Sequence, residues 1–151
     1  MSDKEGFYTL KGYQLNETGK LSSSMEDYLE MICRLLQSCD VVRINELAEK
    51  LHVKPSSASK MVSNLKQAGY IEFEKYGYIV ATEKGIETGT YLLYRHDVLN
   101  DFLCAINQSD NELEQVEKIE HFINKSTIEN LEKLTQELIK AAKGSEQKTQ
   151  S

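Results

Sequence analysis

The chain lacks the features that would put it in a membrane or outside the cell. Its 151 residues contain no run of eighteen apolar side chains and no basic, then apolar, N-terminus, so neither a membrane span nor a secretory signal is expected. The three cysteines, Cys33, Cys39 and Cys104, form no CxxC pair and are odd in number. That suits a reducing, cytoplasmic setting better than a disulfide framework, and each cysteine reads first as a small core residue. An excess of positive charge is also missing: the net charge is −6, which argues against general affinity for nucleic acid. No internal repeat is evident.

What the chain has is a globular balance, with 40% hydrophobic and 28% charged residues, enough for one ordinary domain or two small ones sharing a core. Its charge is polarised. Arg43, Lys50, Lys54, Lys60 and Lys66 stand against Glu46 and Glu49, a local +3 that could face phosphates. Between Asp97 and Glu137 ten acids stand against Lys118, Lys125 and Lys133, a local −7 that favours cations.

Residues 1–21 show no sustained period and read as an arm. A helix is expected from Ser24 as N-cap to about Gln37, with Met25, Leu29, Ile32, Leu35 and Leu36 as its apolar face. Asn45 is expected to cap a short helix ending at Leu51. The next helix has Pro55 in its first turn and Gly69 past its end, so the pair forms a helix-turn-helix. "YIEFEKYGYIVAT" then reads as two strands around Tyr76-Gly77, a small wing. Thr82 can cap a long helix to about Ile106, weakened early by Gly85 and Gly89. Capping boxes at Ser109/Glu112 and Ser126/Glu129 announce two more helices. The tail "KGSEQKTQS" has no apolar anchor and is expected to be disordered.

The expected fold is therefore mainly α. An arm (1–21) precedes a winged helix-turn-helix DNA-binding domain (22–82), a helical dimerisation domain (83–141) and a tail (142–151). The helix from Pro55 would expose Ser56, Ser57, Ser59, Lys60, Ser63 and Asn64 away from Met61, Val62 and Leu65. Small hydroxyls and one cation on such a face suit entry into the major groove of operator DNA.

A second chemistry is scattered in fragments. In "VEKIEHFI", Glu117, Glu120 and His121 fall at i, i+3 and i+4; Asp27 and Glu30 are three apart on the opening helix; and His96 lies on the apolar side of the long helix. Each fragment alone has an ordinary explanation: a solvated face, an N-terminal acid with a Glu30–Arg34 pair, a hydrogen-bonded core histidine.

The runs "SMEDYLEMI", "RINELAEKLHVKPSSASKMVSNLKQAGYI", "EKYGYIVATEKG", "LLYRHDVLNDFL" and "VEKIEHFI", in this order, resemble the diphtheria toxin repressor family, and closely its manganese transport regulator branch. The resemblance covers about Ser24 to Leu138. It implies a metal-dependent repressor of metal uptake that binds double-stranded operator DNA as a homodimer. Carried over, the metal ligands fall on Asp27, Glu30, His96, Glu117, Glu120 and His121. Four carboxylates and two imidazoles with no sulfur form a hard set that suits Mn2+, with Fe2+ possible, over zinc or copper(I). Four negative charges can balance two divalent cations, so two per subunit are expected. Lys118 departs from the glycine usual in the branch, and the SH3-like domain of longer members is absent from this sequence. Neither a membrane nor a small organic ligand is expected as a partner.

Three alternatives stay open on sequence: an iron-responsive regulator of the same fold, a winged-helix regulator sensing oxidants through Cys33 or Cys39, and a di-metal enzyme. The enzyme would need paired Glu-x-x-His repeats, and "EKIEH" contains none.

Overall fold

A computed structural model of the chain describes residues 9–15 and 21–149; part of the expected arm and the last two residues of the tail lie outside the described residues. Helix α1 (Leu10–Leu15) precedes α2 (Ser23–Leu36), α3 (Ile44–Leu51), α4 (Pro55–Gln67), β1 (Ile71–Phe73), β2 (Ile79–Ala81), α5 (Glu83–Asn107), α6 (Leu113–Ile119) and α7 (Lys125–Thr149). The fold is mainly helical with one antiparallel two-stranded wing, paired Ile71 to Ala81 and Phe73 to Ile79.

One apolar cluster unites α2, α3, α4 and the wing: Leu29, Ile32, Leu47, Ala58, Val62, Leu65, Ile71 and Ile79 are buried together with Leu92 of α5. A second joins α5 to α6 and α7 through Val98, Leu99, Leu103, Val116 and Ile128. The long α5 passes through both, so its rotation and height are fixed at two places.

Local chemistry explains most element ends. Pro55 occupies the first turn of α4, where its missing N–H costs nothing. Beyond α4, Gly69 takes φ +89° and its carbonyl accepts from the Thr82 hydroxyl at 2.6 Å, so the residue that caps α5 also closes α4. Thr82 Oγ1 in turn accepts from the Gly85 N–H at 3.1 Å. Gly85 and Gly89 have a positive reason for being there. A Cβ at Gly85 would sit 1.9 Å from the Tyr70 carbonyl oxygen, and one at Gly89 would sit 2.1 Å from Cys33 Sγ. The helix-weakening glycines are what let α5 press onto α2 and the start of the wing.

Several boundaries differ from the sequence reading. The cap of α2 is Ser22 rather than Ser24, its side chain accepting from the Met25 N–H; three consecutive serines offered equivalent caps. Helix α3 begins at Ile44, before Asn45, with no side-chain cap. Ser109 Oγ donates to Glu112 Oε1 at 2.7 Å, but α6 starts only at Leu113, where Asn111 Oδ1 accepts from the backbone N–H. Ser126 lies inside α7 rather than capping it. The expected disorder after residue 141 is not what the structure has: α7 continues through Thr149. Lys, Glu and Gln are good helix formers, and their local preference carries the helix past its last apolar turn.

Candidate metal centre

"VEKIEHFI" does not form one continuous α-helix. Helix α6 ends at Ile119, and Glu120–Phe122 form a 3-10 turn. The tighter winding turns Glu120 inward until no part of it is exposed. Across from it lie α2, which carries Asp27 and Glu30, and the middle of α5, which carries His96.

All six sequence-predicted metal residues come together, in two sets that share Glu120. Glu30, His96, Glu117 and Glu120 form one; Asp27, Glu120 and His121 form the other, and the ligand-type atoms of each lie within 4.8 Å of one another. In the first set His96 Nδ1 lies 3.1 Å from Glu120 Oε2, 3.5 Å from Glu30 Oε1 and 3.6 Å from Glu117 Oε1. In the second, His121 Nε2 lies 2.9 Å from Asp27 Oδ1 and 4.0 Å from Glu120 Oε1.

The electrostatics are those of a site built for positive charge. Burial, then the Glu120 charge, pushes the Glu30 carboxyl up to about 7. Burial, then the Glu120 and Asp27 charges, raises Glu117 as well. Its hydrogen bond to Glu120 raises His96, and the close Asp27 and Glu26 carboxylates, each 2.9 Å from a ring nitrogen, raise His121 to about 10. Two buried carboxylate oxygens, Glu120 Oε1 and Asp27 Oδ1, have no hydrogen-bond partner among the described residues; Asp27 Oδ1 approaches His121 without meeting hydrogen-bond geometry. A buried oxygen left this way costs on the order of 1–3 kcal/mol. A cation in the Asp27–Glu120–His121 set would satisfy both oxygens, so the residues present fit a hard divalent ion.

Arg34 stands 3.4 Å from Glu30, so the ordinary ion pair and the cluster coexist. Sequence reasoning missed two participants. Glu26 Oε1 lies 2.9 Å from His121 Nδ1, and Arg95, 4% exposed, reaches Glu26 at 3.3 Å. Glu26 is a first-turn acid and Arg95 drew no reading of its own; their only signal was adjacency in sequence to Asp27 and His96.

On α4, Ser56, Ser57, Lys60, Ser63 and Asn64 are exposed and Ser59 is half-buried, opposite buried Ala58, Val62 and Leu65. The wing presents Tyr76, 91% exposed, beside Tyr78, whose hydroxyl accepts from Arg43 at 3.0 Å.

Comparison with known proteins decides what this arrangement belongs to. Residues 20–79 match the model "Iron dependent repressor, N-terminal DNA binding domain" and residues 82–148 match "Iron dependent repressor, metal binding and dimerisation domain". The chain belongs to the iron-dependent repressor family. Within that family it is 41% identical over 114 residues to the HTH-type transcriptional regulator MntR of Shouchella clausii, covering 75% of this chain and 80% of that protein. The MntR of Bacillus subtilis is 40% identical over the same length and the same shares. Among solved structures, the manganese regulator SloR superposes with a TM-score of 0.64 at 26% identity, covering 73% of this chain. This chain spans about half the length of SloR, 52%. As an iron-dependent repressor the chain is a DNA-binding, metal-dependent transcriptional regulator and not an enzyme, which removes the di-metal enzyme reading. Cys33 is an unpromising thiol sensor. Burial pushes its thiol up to about 11, and it packs on Gly89 while donating to the Gly85 carbonyl at 3.6 Å.

Proposed function

We propose that the chain is a manganese-responsive repressor of metal uptake that binds operator DNA as a cytoplasmic homodimer, with two Mn2+ per subunit held by Asp27, Glu30, His96, Glu117, Glu120 and His121. The observation that carries this is the shared, wholly buried Glu120, whose two oxygens face two different ligand sets. The hard donor set and the names of the relatives favour manganese; ferrous iron is the alternative the same donors admit.

A bound divalent cation supplies the positive charge that offsets the mutual repulsion of four carboxylates. The residues do the rest. Asp27 and Glu30 belong to α2, whose apolar face is part of the core under α3 and α4. His96 belongs to α5, and Glu117, Glu120 and His121 to α6 and its 3-10 extension, on the other side of the chain's second core. Gathering these side chains ties the DNA-binding half to the dimerisation half. In a dimer that sets the distance between two recognition helices, which must lie about 34 Å apart to meet successive major grooves. We assign residues 22–82 and 83–141 to these two halves. Leu134, Leu138 and Ile139 of α7, together with Ile106 and Phe122, are exposed in the single chain and supply apolar surface for the dimer contact. Ser56, Ser57, Ser59, Lys60, Ser63 and Asn64 would face the DNA.

The test is a titration of operator binding with each divalent metal and with chelator. Manganese should tighten binding strongly, and zinc, which favours four ligands, should fill only part of the site and activate less. Iron outperforming manganese at equal free concentration would assign the alternative metal. Equal affinity with and without chelator would exclude a metal-dependent regulator.

A further inference from the structure

Glu26 and Arg95 are not in the ligand set, yet they are placed as tightly as the ligands. Arg95 is 4% exposed on α5, and its two terminal nitrogens reach the two oxygens of Glu26 at 3.4 and 3.3 Å. A guanidinium fork facing both oxygens of one carboxylate fixes that carboxylate's direction as well as its charge. The free oxygen face is then spent on His121: Glu26 Oε1 lies 2.9 Å from Nδ1. Arg95 also comes within 3.4 Å of that nitrogen, but Arg95 can only donate, and the nearer carboxylate can only accept. Nδ1 therefore carries the hydrogen and gives it to Glu26.

This settles which nitrogen of His121 faces the cluster. A neutral imidazole has one N–H and one lone pair. With Nδ1–H committed to Glu26, Nε2 is the nitrogen that would give up its proton and offer a lone pair to a cation; it lies 2.9 Å from Asp27 Oδ1 and 4.0 Å from Glu120 Oε1. His96 is placed differently: its Nδ1 faces Glu120, Glu30 and Glu117 directly, and among the interactions of the described residues no hydrogen bond or ion pair joins it to Glu26 or Arg95. The two ligand sets thus have unequal support.

We propose that Glu26, aimed by Arg95, is a positioning residue that prepares the Asp27–Glu120–His121 set alone, so that occupancy of this second cation site is controlled separately from the Glu30–His96–Glu117–Glu120 set. The proposal rests on the two-cation reading above. Because Arg95 holds Glu26 by both oxygens, Glu26 is kept from turning inward as a competing ligand. Three of the elements that carry the ligands, α2, α5 and the 3-10 turn, are linked by this second layer of hydrogen bonds.

The test uses the full chain and manganese alone, with ions counted per subunit by calorimetry and folding checked by melting in chelator. The parent should bind two. Glu26→Ala should bind one at concentrations that saturate the parent, one of its two binding steps weakened about 10- to 100-fold, the usual cost of removing a histidine's outer partner, with the other step unchanged. Glu26→Gln, whose amide oxygen still accepts from Nδ1–H, should recover most of the weakened step. Equal losses in the Ala and Gln variants would make Glu26 a charged ligand and overturn the proposal, as would an Ala variant that binds two ions like the parent. A parent that binds one manganese leaves no second site to support, and a parent that binds none defeats the metal reading itself.

Discussion

Two regions of the molecule, the core of the helix-turn-helix and the metal cluster, are built by opposite means. Under the helix-turn-helix, Leu29, Ile32, Leu47, Ala58, Val62, Leu65, Ile71 and Ile79 form an apolar core at 0–1% exposure. Across α5, the centre of the cluster is Glu120, equally buried, with Glu30 and His96 beside it and two oxygens lacking hydrogen-bond partners. The first region is held by apolar burial, which needs no cation. The second holds a large electrostatic cost until something positive arrives. A regulator needs this division: a reading head that is always folded, joined to the rest of the chain through a contact that is favourable only under one condition.

The largest effect that sharpens this contrast is expected in the apolar half. Leu65→Ala should lower stability in chelator by about 2–5 kcal/mol, measured by denaturant unfolding, while the manganese affinity of the folded protein stays at the parent value. A shift in manganese affinity would mean the two regions are not separable.

The next effect is on pH. The folded Glu30 carboxyl sits near 7, above its ordinary 4.5, so the folded chain disfavours its ionised form. No cost arises below 4.5, where the group is protonated in both states; stability then falls as the pH rises to about 7 and loses nothing more from this group beyond that. His121, raised to about 10, acts in the same direction at higher pH, stabilising below its ordinary value and losing that contribution as the pH climbs toward 10. Melting of the chelated parent should decline across this range, and Glu30→Gln should flatten the acid portion. A profile that rises between pH 4.5 and 7 would contradict the cluster's charge.

On the DNA-facing side, Lys60→Ala should weaken operator binding and reduce the slope of log affinity against log salt by about 1, with manganese stoichiometry unchanged. The smallest effect is expected for Cys39→Ser. Cys39 is exposed and is not among the ligand-type groups of the cluster, so operator affinity measured in oxidant and in reductant should match the parent; a lost oxidant response would revive the thiol-sensing alternative.

The apolar half was the more legible in sequence because its signals are local. Periodic Leu and Val, Pro55 at a helix start and Gly69 past a helix end are read within a few residues of each other, and the helix-turn-helix with its wing is in the structure as read. The cluster is made of fragments 90 residues apart, each with an ordinary meaning alone. Only the family resemblance joined Asp27, Glu30, His96, Glu117, Glu120 and His121, and it gave no indication that Glu120 would be shared. The 3-10 turn at Glu120 was invisible because "VEKIEHFI" has the pattern of an uninterrupted helix. Glu26 and Arg95 were missed for a related reason. A first-turn acid and a helical arginine are common on surfaces, and only the packing of α2 against α5 turns them into a partly buried pair.

The central claim is that Glu120 is retained for metal and not for folding, and the most direct measurement is the manganese concentration at which operator binding is half complete, in the parent and in Glu120→Gln. The amide keeps the shape and can still meet His96, and it relieves repulsion among four carboxylates, each close pair costing on the order of 1 kcal/mol at intermediate dielectric. The variant should therefore melt in chelator at or above the parent, yet need at least about tenfold more manganese to reach half binding, equivalent to the loss of some 1.4 kcal/mol or more of metal affinity. An unchanged manganese midpoint would contradict the account.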